Sequence, residues 1–202
     1  MAVASLLNEP LTDDDFGLPL ISVRLRDSFD RIVANNPELR IESTANGEIV
    51  FMAPTGGESG AVNSEITASL VIWTRTHGGV AFDSSTLFRL PNGARRSPDA
   101  SWIQVNRWQN LTKKQREEYP PICPDFVIEL RSRSDRVVDL QSKMQEYIDC
   151  GVRLGWLIDP FQQQIHIYKP GQMPLVLQKP DSVSDDFVLP GFVLDLRRVF
   201  QV

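Results

Sequence analysis

Apolar residues recur along this chain with two different periods, and the switches between them mark its elements. Helical spacing of Val23, Leu25, Phe29, Ile32 and Val33 predicts a first helix over 23–34, ended by Asn35-Asn36-Pro37. Two β-type runs, 39–43 and 48–52, flank Ala45-Asn46-Gly47, whose Asn-Gly pair favours a tight hairpin. Val62, Ile66, Ser69, Leu70 and Trp73 return to helical spacing and predict a long helix over 59–76, closed by Gly78-Gly79. Further β-type runs follow at 80–83, 86–90 and 99–105, and the polar stretch from Trp108 to Tyr119 reads as a short helix within a loop.

Pro120, Pro121 and Pro124 then fence off a strand over 125–131. Phe126, Ile128 and Leu130 take one face of it; Asp125, Val127, Glu129 and Arg131 take the other. Ser134-Asp135 reads as the N-cap of a helix to Cys150, with Val137, Leu140, Met144, Tyr147 and Ile148 as its apolar stripe and Gly151 beyond its end. Strands at 154–158 and 164–168 surround Asp159-Pro160, and the ending 189–196 is expected to pack a short C-terminal helix. Helices in front, several strands, one helix and more strands give an α+β or α/β domain with a mixed sheet flanked by helices. Residues 1–20, rich in Pro and Asp, read as an extension, and 21–202 as one domain.

Composition narrows the function. At 202 residues the chain can bury one sizeable core. No run approaches the roughly 18 apolar residues a membrane span needs. The N-terminus lacks a basic region and soon meets Asp13, Asp14 and Asp15, so it does not read as a signal peptide; cytoplasm is the expected location. Cys123 and Cys150 lack zinc spacing and read as reduced apolar residues. His77 and His166 share no spacing that suggests zinc, and no P-loop or dinucleotide fingerprint occurs. A net charge of −5 weighs against a protein that coats nucleic acid, but not against a nuclease, whose metal site is itself acidic.

The chemistry concentrates in two places. Pro98-Asp99 opens one strand, and Glu129 lies inside the next, within Cys123-Pro124-Asp125-Phe126-Val127-Ile128-Glu129-Leu130. On adjacent strands these carboxylates meet on one face and, with water and a substrate phosphate, can hold Mg²⁺ or Mn²⁺. The carbonyl of Leu130 is a candidate third ligand. A glutamate in an apolar strand is costly to bury unless paired or metal-bound, and the plain alternative is a pair with Arg131 or Arg153. Lys143 flanks the apolar stripe of the following helix; it either pairs with Asp139 on the surface or leans over the strand end. Glu65, beside Ile66 on the long helix, reads as a solvated glutamate.

In this order the motifs resemble a family abundant in cyanobacteria, the "putative restriction endonucleases" once labelled a domain of unknown function, within the PD-(D/E)xK nuclease superfamily. The resemblance runs through Ile41-Glu42, Gly47-Glu48-Ile49, Met52-Ala53-Pro54-Thr55, Ser97-Pro98-Asp99, 124–132, Lys143, Tyr147, Gly151-Val152, 156–160 and Leu189-Pro190-Gly191-Phe192. It implies a restriction-endonuclease-like core and Mg²⁺-dependent cleavage of DNA, with Asp99 and Glu129 as metal ligands and Lys143 as the catalytic cation; because a single site cuts one strand, a homodimer is expected. The superfamily's usual lysine, two residues after the acid, is Arg131 here; arginine does not serve readily as a proton-transfer base but can offset transition-state charge. The family often carries a histidine near residue 60, where this chain reads Gly57-Glu58-Ser59-Gly60-Ala61. The alternative implied by these departures is an inactive nuclease-fold module that binds nucleic acid or protein.

Overall fold

The computed structural model describes residues 22–23 and 29–201, so the extension expected at 1–20 lies outside the described residues. In chain order the elements are β1 (Ser22–Val23), α1 (Phe29–Asn35), β2 (Ile41–Ser43), β3 (Ile49–Phe51), α2 (Gly57–His77), β4 (Val80–Asp83), β5 (Phe88–Arg89), β6 (Arg95–Arg96) and β7 (Ala100–Ile103). Then come α3 (Val105–Gln109), α4 (Lys113–Glu117), β8 (Phe126–Leu130), α5 (Val137–Asp149), β9 (Leu154–Asp159), β10 (Gln164–Tyr168), β11 (Leu175–Gln178), β12 (Ser182–Asp185) and β13 (Leu189–Asp195).

Six strands, in the order β11-β10-β9-β8-β7-β4, form the central sheet. It is mixed: β8 and β9 run parallel, and α5 makes the crossover between them, while every other pairing is antiparallel. All five residues of β8 are buried, as expected for a strand with neighbours on both sides and helices over both faces. Alternation divides the core as the sequence pattern requires. Phe126, Ile128 and Leu130 join Val62, Ile66, Leu70 and Trp73 of α2 and the β12–β13 hairpin on one face. Val127 joins Met144 and Tyr147 of α5 on the other.

A second sheet, β1-β3-β2-β6-β5, lies beside the first, with Phe29 of α1 packed on Ile41, Ile49 and Leu87. Ser97-Pro98-Asp99 is the whole connection between β6 of this small sheet and β7 of the central one.

Glycine is required where elements approach closely. At Gly79 φ is +82° and an added Cβ would fall 2.1 Å from the Trp102 indole nitrogen, so only glycine makes this turn out of α2. At Gly155 on β9 a Cβ would meet the Met144 terminal methyl at 2.4 Å, which shows how closely α5 lies on the sheet.

Three local expectations need correction. Val23 belongs to a two-residue strand paired with Ile49, and the first helix begins at Phe29; cross-strand pairing overrides the helical period there. The N-cap of α5 is Arg136, without a side-chain cap, because Asp135 turns its carboxylate back to the Ser132 N–H and hydroxyl, each at 2.7 Å. The ending 189–196 is mainly strand β13, paired with β12, and only a 3₁₀ turn, Val199–Gln201, follows it. The polar loop holds two short helices, α3 and α4, the latter opened by a Thr112–Gln115 capping box.

Candidate active site

The register places Ala100 opposite Ile128, so one further step sets Asp99 against Glu129 at the end of the β7–β8 ladder. The two carboxylates are held by opposite layers of the fold. Asp99 Oδ2 accepts the Leu130 N–H at 2.8 Å, and Oδ1 accepts the Asn63 side-chain amide of α2 at 3.2 Å. Glu129 Oε1 receives the Lys143 ammonium at 3.0 Å and the Tyr147 hydroxyl at 2.9 Å, both from α5. Lys143 and Tyr147 are four apart, so one face of α5 presents both to the same carboxylate. Close seating of α5 over Gly155 fixes the height at which they arrive.

Lys143 does not pair with Asp139, which takes Arg136 instead, at 3.9 Å. Its ammonium bridges Glu129 and a third carboxylate, Glu42 of β2, at 3.0 Å each. Glu42 also accepts the Ser97 N–H at 2.8 Å and Arg96 at 3.1 Å, and Arg96 continues to Glu146 of α5 at 2.6 Å. A continuous ionic network therefore joins the small sheet, α5 and the central sheet.

Burial sets the protonation of this network. Loss of solvation raises Glu129 to about 8, with Asp99 and Glu42 adding to the effect and Lys143 opposing it. Asp99 is raised as well, first by burial and then by the charges of Asp135 and Glu42, against the Leu130 N–H and Lys143. For Glu42 burial pushes upward, but Lys143, Arg96 and the Ser97 N–H together outweigh it and lower its pKa. Lys143, buried yet between two carboxylates, is raised and stays an ammonium.

The expected alternative partners of Glu129 are engaged elsewhere. Arg131 binds Asp159 at 3.0 Å, and Arg153 approaches Asp125 at 3.8 Å, so the buried partner of Glu129 is Lys143. Glu65 is exposed on α2 and reaches Arg198. His77 stacks on Trp73, His166 is buried in β10, and both cysteines are free thiols.

Glu42 and Asn63 are site residues that sequence reasoning gave no role, and Tyr147 was read only as part of the apolar stripe. Glu42 carried a signal: it stands between Ile41 and Ser43 in a fully buried strand, as unlikely a place for a lone charge as that of Glu129. Asn63, beside Val62 on a long helix, carried none.

Among the described residues no three His, Cys, Asp or Glu side chains form a ready-made metal cage. Mg²⁺ does not require one, since it keeps several waters and binds through one or two carboxylates. The donor set fits such an ion. Asp99 and Glu129 are hard oxygen donors opposed across adjacent strands; burial first, and neighbouring carboxylates after it, disfavour their charged forms, which a divalent cation would favour.

Comparisons with known proteins agree with this fold. A crystal structure from Anabaena variabilis ATCC 29413, described as a putative nuclease belonging to DUF820, superposes with a TM-score of 0.67 at 22% identity, over 80% of this chain and 89% of that one. No curated protein matches the chain. The family model Uma2, described as "Putative restriction endonuclease", matches residues 26–197, which takes in the central sheet, the small sheet apart from β1, and the whole ionic network: the chain belongs to that family.

Proposed function

We propose that the protein is a metal-dependent endonuclease that hydrolyses DNA phosphodiester bonds. One observation carries the reading: a buried carboxylate, Glu129, and a half-buried one, Asp99, opposed at the end of adjacent strands, with an ammonium on the first, in a chain of the restriction endonuclease family. Asp99, Glu129 and the Leu130 carbonyl would hold Mg²⁺ or Mn²⁺. Such an ion supplies an activated water and neutralises charge on the phosphate.

The chain's own groups do the positioning. Asn63 and the Leu130 N–H hold the Asp99 carboxylate, and Tyr147 holds that of Glu129. Lys143 stays protonated and offers positive charge beside the phosphate site. Arg131, expected to offset transition-state charge, is paired with Asp159 and cannot shuttle a proton, so its part is to hold the same strand end. One such site cuts one strand, so a homodimer is the form proposed to cut both.

A second reading, a nuclease-fold module that grips nucleic acid without cutting it, is favoured by Lys143 already satisfying two carboxylates. Nicking of supercoiled plasmid separates the two. Wild-type protein is expected to nick in Mg²⁺ and stop in EDTA, while Asp99→Ala and Glu129→Ala, with circular dichroism unchanged, do not nick. Persistent nicking by both purified variants overturns the assignment.

A further inference from the structure

Beyond Glu129 the chain leaves β8 through the loop 131–136, and this loop carries arginines in two different electrostatic states. Arg131 is neutralised: it binds Asp159 at 3.0 Å and lies 5.4 Å from the Phe161 ring centre. The other oxygen of Asp159 caps the turn at the Phe161 and Gln162 N–H groups, and among the described residues Arg131 is the arginine it pairs with. Arg136 pairs with Asp139.

Arg133 is the exception. Its guanidinium stacks 5.2 Å from the same Phe161 ring, its side chain is exposed, and among the described residues no carboxylate contacts it. The neighbouring Asp135 carboxylate is turned to Ser132 instead. An aromatic face orients a guanidinium without cancelling its charge, so the N–H fork of Arg133 is left to face solvent. It also stands close to the chemistry, four residues after Glu129, on the loop that begins directly beyond Leu130, whose N–H holds Asp99.

We propose that Arg133, held by Phe161, binds a backbone phosphate of nucleic acid next to the phosphate being cut. This rests on the nuclease reading and adds a substrate contact to it. A planar, five-donor fork matches a phosphate bidentately, and a second anion at a fixed spacing from the first is what a polynucleotide provides. Among the described residues of the 131–136 loop, only Arg133 is a cation with no anionic partner inside the protein.

The test is fluorescence anisotropy with a labelled duplex of about 20 base pairs, and with the matching single strand, in Ca²⁺ so that binding is read without turnover. Arg133→Ala is expected to weaken binding about tenfold and to reduce the salt slope by about one, with Arg133→Lys recovering the slope. Lys113→Ala, an exposed cation on α4, serves as the control and is expected to change neither. Tight wild-type binding with an unchanged constant and slope in Arg133→Ala overturns this assignment and leaves the nuclease reading standing. Wild-type protein that binds neither probe overturns both. Displacement of DNA by poly-glutamate at equal charge concentration marks an acidic-protein surface and also overturns it.

Discussion

The two faces of the central sheet are made from alternate residues of the same strands, yet they are built on different principles. Under α2 the face is apolar and aromatic. Trp156 meets Phe126 edge-on at 4.8 Å and stacks on Phe192 at 5.9 Å, and Trp73 packs edge-on against Trp102 at 5.4 Å. Under α5 the apolar contacts of Val127 and Met144 are interrupted by Glu129, Lys143 and Tyr147, and the network reaches out to Glu42 and Arg96. Hydrophobic burial alone would stabilise the second face better than buried charges do. The face therefore carries a cost that the first face does not, and the metal and substrate binding proposed for these charges would offset it, whereas the first face holds the fold.

The comparison breaks most visibly on the apolar face. Phe126→Ala removes a fully buried ring and is expected to destabilise by about 3–5 kcal/mol, equally at pH 6 and pH 8.5, in urea unfolding. Lys143→Ala on the ionic face leaves Glu129 buried without a cation and Glu42 with Arg96 alone; about 3 kcal/mol is expected at pH 8.5, falling as pH drops below about 8 and Glu129 takes a proton.

The sign of the pH dependence follows from Glu129. Its folded pKa of about 8 exceeds its ordinary value of 4.5, so between these limits the native state binds more protons than the unfolded one. Stability of the metal-free protein should then fall as pH rises through this window and level off above it, by at most about 1.4 kcal/mol per unit. Glu42, with a lowered pKa, acts in the opposite sense but only at more acid pH. Glu129→Gln is expected to flatten the profile between pH 5 and 8.5; an unaltered slope would remove Glu129 as its source. Lys113→Ala, which loosens an exposed pair at 3.6 Å, should cost less than about 0.5 kcal/mol and leaves both faces as they are.

Much of this contrast was legible in the sequence. Alternation in 126–130 sorted the two faces correctly, and a glutamate within that run stood out because burial makes lone charges expensive. The partners were harder to read. Spacing alone left Lys143 open between an i,i+4 surface pair and a place over the strand end, because it does not reveal that Gly155 lets α5 settle onto the sheet and carry the lysine inward. Glu42 lies 101 positions from Lys143, and only the docking of two sheets brings them together. The misplaced helix boundaries have the same origin: Val23 follows a strand partner, and Asp135 prefers a local turn to a helix cap.

The three-residue link Ser97-Pro98-Asp99 has a consequence for how activity would be lost. One of its ends is bonded to Glu42 of the small sheet and the other to Leu130 of the central one. Partial opening that pulls the small sheet away would release the Lys143 ammonium and drag Asp99 out of register while the aromatic core stayed intact. On the function proposed, such a protein would disarm itself early: a damaged or half-assembled copy would stay folded at its centre but have no blade.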